Sequence, residues 1–352
     1  METSKSQIDK AGKILKSSIQ NKEELDGALN VVHKFRAFHE YPLKIFDRRL
    51  ERISKKFDKN PVIARRLKRL SSIIYKLKRK YKGSEPTIKL SQMQDIAGCR
   101  SVVSSTEIAR KVRDQGFLKS DIKHKLVSQK DYITYPKKDG YRSIHLVYRY
   151  ESDKEKSKYN GLLIEVQIRS KLQHIWATAI EIVDFFTTQS IKLNRGKKEW
   201  KDFFRLVSSA LALMEKTALV PNTPSNKKEI YRLIRDSERE LKVIKNLTKW
   251  NSAIREFTDT KSKKSKKEFF LLELDLNSES IKISAYTKDE GEKALEDYAR
   301  VEKIIRNKKE YDTVLVGADS IDELEKAYPN YFVDSQEFIK VLTKIIKEVE
   351  KN

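Results

Sequence analysis

Cysteine is nearly absent from this chain: Cys99 is the single one among 352 residues. That excludes a disulfide framework and a cysteine zinc cluster within the chain. It fits a reducing compartment, and a cytoplasmic location is expected. Long apolar runs are also lacking. Nowhere do ~18 apolar residues follow one another, as a membrane-spanning helix needs, so no membrane contact is expected. Met1 to Lys16 mixes polar and charged residues and has no apolar centre of a secretory leader. Acidic residues are scarce relative to basic ones, 51 against 75, leaving a net charge of +24. Such a surface attracts polyanions, nucleic acid or nucleotide phosphates. A lysine-rich composition that only decorates solvated faces gives the same count.

Hydrophobic residues make up 38% and charged residues 36%. With aromatic and β-branched residues spread along the length, this reads as a folded chain with a heavily charged surface. Its length exceeds one small core and suggests two or three folding units.

The pattern reads as helical up to about residue 85. Leu25, Leu29, Val32 and Phe35 recur at helical spacing, followed by Leu43, Phe46 and Leu50. A helix is predicted from Pro61 to Tyr81, with Ile63, Leu67, Leu70, Ile74 and Leu77 as its apolar stripe and Gly83, Ser84 and Pro86 at its close. From Ile88 the period changes. DIAGCRSVVS reads as a strand, Thr106 to Gln115 as a helix, and HKLVSQKDYI, YRSIHLVYRY and GLLIEVQIRS as strands. In the last of these, Ile164, Val166 and Ile168 face one way and Glu165, Gln167 and Arg169 the other. Residues 171–216 return to helix, and Lys227 to Thr258 is predicted as a second charged helix. The basic stretch Lys261 to Lys267 reads as a linker. Beyond it come two paired strands with Asn277 and Ser278 at their turn, a helix, the strand DTVLVGA, and helices starting at Ser320 and Ser335. The expected organisation is an N-terminal helical region at 1–60, a catalytic domain at 61–216, a helical connector with the basic linker at 217–265, and a small α+β domain at 266–352.

The segment of greatest chemical interest is DYITYPKKDGYRSIH, from Asp131 to His145. Gly140 lets the backbone approach a ligand, Tyr141 offers an aromatic face and Lys137 a cation. An ordinary Asp-Gly hairpin with solvated lysines has the same composition. Glu165, on a polar strand face, can hold a hard metal ion, accept a proton, or merely pair on the surface. Asp95 opens a strand, where a carboxylate suits Mg²⁺ or a plain turn. Arg66, Lys68, Ser72 and Lys76 are spaced to share adjoining parts of one helix surface, fit for a triphosphate or for solvent.

Taken in series, RxK…SxxxK, DIAGCR, DYI…PKxDGYRSIH and EVQIRSxxQHxWA resemble the synthetase domain of the RelA/SpoT family, over residues 60 to 216. The resemblance implies an α+β fold, a mixed β-sheet flanked by helices and related to nucleotidyltransferases. It implies transfer of a pyrophosphoryl group from ATP to a ribose 3′-hydroxyl, with Mg²⁺ as cofactor. It places Arg66, Lys68, Ser72 and Lys76 at ATP, Arg66 near the adenine and the others on the phosphates. A second arginine packs on the adenine in this family; Arg100 and Arg110 both lie near, and Arg100 is expected to take that place. Asp95 and Glu165 are the implied catalytic and metal-binding carboxylates. Tyr141 stacks on the acceptor base, Lys137 and His145 line its pocket, and Gln167, Arg169 and His174 complete it. Where many relatives have a Glu-His pair after the tryptophan, this chain reads WATAIEIVDF, so the role of Glu181 stays open. No His-Asp dipeptide occurs among the five histidines, so synthesis without hydrolysis is expected.

The family offers two acceptors: GDP or GTP, giving the alarmone (p)ppGpp, or the 3′ end of tRNA, as in a toxin that blocks translation. A catalytically inactive nucleotide- or RNA-binding module is the third reading. Cys99, Trp176, Trp200 and Trp250 are expected in the core or at an interface, and His33, His39 and His124 show no ligand spacing. The C-terminal unit carries no motif tied to chemistry. It is expected to regulate as a sensor, a self-inhibitory cap or a surface for homo-oligomers.

Overall fold

The computed structural model describes residues 4–17, 21–80, 84, 86–153, 155–187, 196–253, 255–258, 267–275, 277–278, 280–306, 308, 310–317, 325, 328 and 335–350. The elements run α1 (Lys5–Lys16), α2 (Lys22–Phe38), α3 (Glu40–Phe57), β1 (Val62–Leu67), α4 (Leu70–Lys78), β2 (Ala97–Val103), α5 (Thr106–Arg113), β3 (Lys125–Asp131), β4 (Ile144–Arg149) and β5 (Leu163–Ser170). They continue as α6 (Lys171–Thr187), α7 (Lys198–Met214), α8 (Lys227–Leu241), α9 (Val243–Ala253), β6 (Arg255–Thr258), β7 (Lys267–Asp275), β8 (Ser280–Thr287), α10 (Gly291–Ile305), β9 (Tyr311–Gly317) and α11 (Gln336–Glu350).

Among the described residues, nine strands join one mixed sheet in the order β3-β4-β5-β2-β1-β9-β7-β8-β6. The expected α+β class, a mixed sheet flanked by helices, is what the chain adopts. β2 and β5 run parallel, with Gly98 opposite Glu165. β1 is antiparallel to β2 on one side and to β9 on the other. Thus the strands of the C-terminal unit extend the sheet of the 61–216 block, and β1 is the seam between them. Nothing in the local pattern of either segment marks this, because strand pairing is a non-local choice.

One face of the sheet is sealed by α3 and α5. Leu43, Phe46 and Leu50 of α3 and Ala109 and Val112 of α5 pack on Cys99, Leu146, Tyr148, Ile164, Val166 and Ile168. These are the apolar positions of the alternating strands, so the polar positions point to the other face. A second core gathers α6, α7, α8 and α9 with Phe338, Leu342 and Ile345 of α11. α10 covers the C-terminal strands through Ala294 and Tyr298.

Two sequence expectations need correction. The helix predicted from Pro61 is a strand as far as Leu67, and helix begins only at Leu70. Ile63 and Leu67 fit an i, i+4 stripe, but the segment also alternates, and pairing on both edges decides for strand. The charged helix predicted to Thr258 breaks at Lys242, which takes a left-handed φ of 51°. Its last residues, Arg255–Thr258, form an edge strand parallel to β8. Gly83, residues 261–266 of the linker predicted at 261–267, the start at Ser320 and most of the helix predicted after it lie outside the described residues, while Lys267 opens β7 instead of closing a linker.

Candidate functional site

The strand conformation of β1 changes how its basic residues are presented. In a helix, Arg66 and Lys68 would point some 200° apart; in a strand, residues two apart share a face. Ala64, Arg66 and Lys68 therefore line one cleft, together with Asp95, Gly98, Arg100, Glu165, Gln167 and Tyr328. Gly98 leaves the floor open opposite Glu165, since a Cβ there would meet the Glu165 carbonyl at 3.3 Å. Arg110 sits on α5, behind the sheet, so Arg100 is the arginine that accompanies Arg66.

Asp95 is the charge centre of one half. Its two oxygens accept from Lys68 Nζ at 2.8 Å and Lys76 Nζ at 2.9 Å. Burial alone would raise this carboxyl, but the two ammonium groups hold it down at about 2. Lys68 moves the opposite way to a simple pair: burial lowers it in spite of Asp95. One carboxylate shared by two ammonium groups gains from both, whereas each ammonium has only a shared partner. Ser72 stands half-buried on α4, one helical turn before Lys76.

Glu165 anchors the other half. Gln167 Nε2 donates to its Oε2 at 2.7 Å, and His145 Nδ1 lies 2.8 Å from its Oε1. An ionised carboxylate only accepts, so the proton of this contact sits on Nδ1. Nε2 of a neutral ring then accepts from the Tyr141 hydroxyl, 2.8 Å away. Burial would raise Glu165, yet the hydrogen bonds from His145 and Gln167 hold the carboxyl below its ordinary value. Burial pushes the Tyr141 phenol up to about 12. Both rings meet Tyr132 edge to face, and Lys137 Nζ lies 4.7 Å from the Tyr132 ring centre and 5.0 Å from that of Tyr141. Burial lowers the Lys137 ammonium, Lys130 and Arg79 adding to the effect against Asp139.

Local sequence explains how these groups are aimed. Asp131 closes β3 by accepting from the amides of Ile133 and Thr134. Asp139 accepts from the amide of Tyr141, and Gly140 takes φ +94°, a conformation that favours glycine. At the end of β5, Ser170 and Gln173 form a reciprocal cap that turns the chain into α6. Arg169 and His174, on either side of that junction, are buried against each other in hydrogen-bond contact. Burial, with Arg100 next in effect, lowers the Arg169 guanidinium to about 9. Glu181 acts on Arg169 and Arg100 from α6 with opposite charge.

The sequence-predicted residues thus fall into two linked halves: Arg66, Lys68, Lys76, Asp95 and Arg100 on one side, and Lys137, Tyr141, His145, Glu165 and Gln167 on the other, with Arg169 and His174 beneath. Two residues were missed. Tyr132 stands in the quoted motif and could have been found there. Tyr328 carries no local signal. It enters the cleft from the C-terminal unit, its hydroxyl donating to the Arg65 carbonyl at 3.0 Å and its ring 5.2 Å below the Arg100 guanidinium carbon. Among the described residues no group of three His, Cys, Asp or Glu side chains is placed to hold a metal ion by itself. Asp95 and Glu165, two carboxylates lining one cleft, could together hold a hard cation that takes its remaining ligands from elsewhere. Among the described residues no helix is long and apolar enough to cross a membrane.

The family model described as a region found in RelA/SpoT proteins matches residues 65–183. The GTP pyrophosphokinase YwaC of Bacillus subtilis (strain 168) is 31% identical over 148 residues, which cover 40% of this chain and 68% of that protein. GTP pyrophosphokinase YjbM of the same organism is 35% identical over 123 residues, 34% of this chain and 56% of that protein, so the chain spans little more than half of that relative. The crystal structure of small alarmone synthetase 1 from Bacillus subtilis aligns over 52% of this chain and 91% of its own, at 24% identity and a TM-score of 0.42. With the motifs in order, the matched segment centred on the cleft and two thirds of a curated relative covered, the chain belongs to the RelA/SpoT family.

Proposed function

We propose that the protein is an ATP-dependent pyrophosphokinase that makes (p)ppGpp from GDP or GTP. The observation that carries this reading is the meeting of Asp95 and Glu165 in one cleft, with Arg66, Lys68 and Arg100 beside Asp95 and the His145–Tyr141 chain attached to Glu165. Phosphoryl transfer asks for in-line positioning and charge neutralisation. Arg66 and Arg100 receive the adenine, and Lys68, Ser72 and Lys76 the phosphates. Tyr141 and Tyr132 receive the acceptor base, and Lys137 its phosphates. Glu165 takes the proton of the ribose 3′-hydroxyl. The freed oxygen bonds to the β-phosphorus of ATP, the bond from that phosphorus to the α-phosphate oxygen breaks, and AMP leaves with the electron pair. Asp95 and Glu165 would hold Mg²⁺, which supplies neutralisation of the transferring phosphates. A cation held there would replace Lys68 and Lys76 at Asp95, leaving both ammonium groups for phosphate.

The 3′ end of tRNA is the second acceptor to consider. The net charge of +24 and the basic rim formed by Arg79, Lys130 and Lys137 favour a large polyanion. ATP labelled on its β-phosphate, offered with GDP, GTP or bulk tRNA in parallel, separates the readings. Label in tRNA alone defeats alarmone synthesis, and label in no acceptor with Mg²⁺ present favours a binding module. Glu165→Gln is expected to lose about 10²- to 10⁴-fold in transfer rate, and full transfer by that variant removes Glu165 from the mechanism.

The C-terminal unit restrains the ATP half. Tyr328 lies among the residues assigned to adenine and competes with it for Arg100. Three carboxylates of the same unit grip the strand–helix segment that carries Arg66 and Lys68. Glu268 pairs with Arg65, Asp312 with Arg69, and Glu302 accepts from the Leu70 amide at 2.8 Å and from Arg36 at 2.6 Å.

A further inference from the structure

We propose that Ser208 of α7 is a positioning residue for the acceptor turn, and that the C-terminal helix α11 supports that turn through α7. The proposal rests on the reading of residues 131–145 as the acceptor side, and Ser208 lies outside the segment that the family model matches.

Ser208 interrupts an apolar face. Phe203, Phe204, Val207, Ala210 and Leu211 around it are buried core, and Ser208 itself is 1% exposed. A buried hydroxyl needs partners, and both of these belong to one turn. Its Oγ donates to the Gly140 carbonyl at 2.6 Å and accepts from Arg142 Nε at 3.0 Å. The residues on either side of Tyr141 are therefore tied to a single hydroxyl. Arg142 is 3% exposed and far from any solvent alternative.

Packing limits the turn from the other direction. A Cβ on Gly140 would lie 2.9 Å from Trp176 Cζ2 and 3.1 Å from Ser208 Cβ. The turn cannot move toward α6 and α7 without collision, and the two hydrogen bonds keep it from lifting away. Tyr141 is thereby fixed where its hydroxyl meets His145 Nε2, and through His145 it is in register with Glu165.

The support continues to the C-terminal unit. Phe204, one helical turn before Ser208, accepts from Trp176 Nε1 through its carbonyl at 2.8 Å. Its ring meets that of Phe338 on α11 at 6.1 Å. Residues four apart share a helix face, so Phe338, Phe204, Ser208 and Gly140 form one packed line. The C-terminal unit thus touches both substrate halves, the ATP half at Tyr328 and the acceptor half through α7.

The test uses the full-length chain with Ser208→Ala and reads two quantities. Hydrogen–deuterium exchange is expected to quicken across residues 132–143 and to stay unchanged across 66–78. With whichever of GDP, GTP or tRNA the wild type labels, KM for the acceptor is expected to rise about fivefold to tenfold, the worth of one buried hydrogen bond, with KM for ATP unmoved. Ser208→Cys, whose thiol is a weak donor, falls between. Unchanged exchange of the turn overturns the brace, and a parallel rise of both KM values overturns the positioning role. If Phe338→Ala leaves the exchange of the turn unchanged, the link to α11 is wrong. A wild type that labels no acceptor refutes the pyrophosphokinase reading instead, while the exchange measurement still decides the brace.

Discussion

If Tyr328 holds the place of the adenine, replacing it by leucine should strengthen ATP binding. The side chain is nearly fully buried, with apolar neighbours that include Ala64, Phe270, Leu272 and Val316. Leucine keeps most of that apolar contact and removes two interactions that ATP must otherwise displace. One is the hydroxyl bond to the Arg65 carbonyl at 3.0 Å, worth about 1 kcal/mol net. The other is the Arg100 guanidinium 5.2 Å from the ring centre, worth about 0.5–2 kcal/mol according to its solvation. Together they oppose ATP by about 1.5–3 kcal/mol, which converts to roughly 10- to 100-fold in affinity. KM for ATP in initial-rate assays, and the Kd of a non-hydrolysable ATP analogue, should fall by that factor in Tyr328→Leu. KM for the acceptor should not change, because Tyr141 and its partners lie on the other half. An unchanged or weakened affinity for ATP would refute the competition, leaving Tyr328 as a packing residue of the C-terminal strands.

Asp95→Asn should abolish transfer, and it should also expose a pH signature in stability. The folded carboxyl is depressed to about 2 from an ordinary 3.8, so its stabilisation is present above about pH 4 and is lost as pH falls toward 2. The wild type should exceed the variant by about 2 kcal/mol near neutrality, and equal denaturation midpoints at pH 7 would remove the ion-pair account. Gly140→Ala faces both a φ of +94° and a 2.9 Å approach to Trp176. It should lower the melting temperature and raise KM for the acceptor at least as much as Ser208→Ala, and an alanine variant of wild-type KM would show that the turn is not constrained. Glu302→Gln removes the charge paired with the buried Arg36 and should cost about 3–5 kcal/mol in chemical denaturation. A loss below 1 kcal/mol would mean that this pair does not hold the seam.

Much of the candidate site was legible before the fold. Asp95, Arg100, Tyr141, His145, Glu165 and Gln167 sit in short motifs whose spacing is local, and the alternation of Ile164, Val166 and Ile168 with Glu165 and Gln167 fixed which side chains share the polar face. Strand and helix could not be separated at 61–69, because Ile63 and Leu67 satisfy both periods. The outcome there turned on strand partners 30 to 252 residues away in sequence. For the same reason the C-terminal strands read as a self-contained pattern.

By itself, then, the sequence determined the carboxylates, cations and aromatics of the candidate site, the alternation that aims them, and the glycine at the turn before Tyr141. The tertiary structure decided three further matters: that Arg66 and Lys68 share one face, that Tyr328 reaches Arg100, and that Ser208 bonds to both residues flanking Tyr141. Each depends on contacts between residues far apart along the chain, the first on the pairing of β1 with β2 and β9. Local propensity carries no record of such contacts, since they form only when strand order and helix packing close the sheet over the cleft.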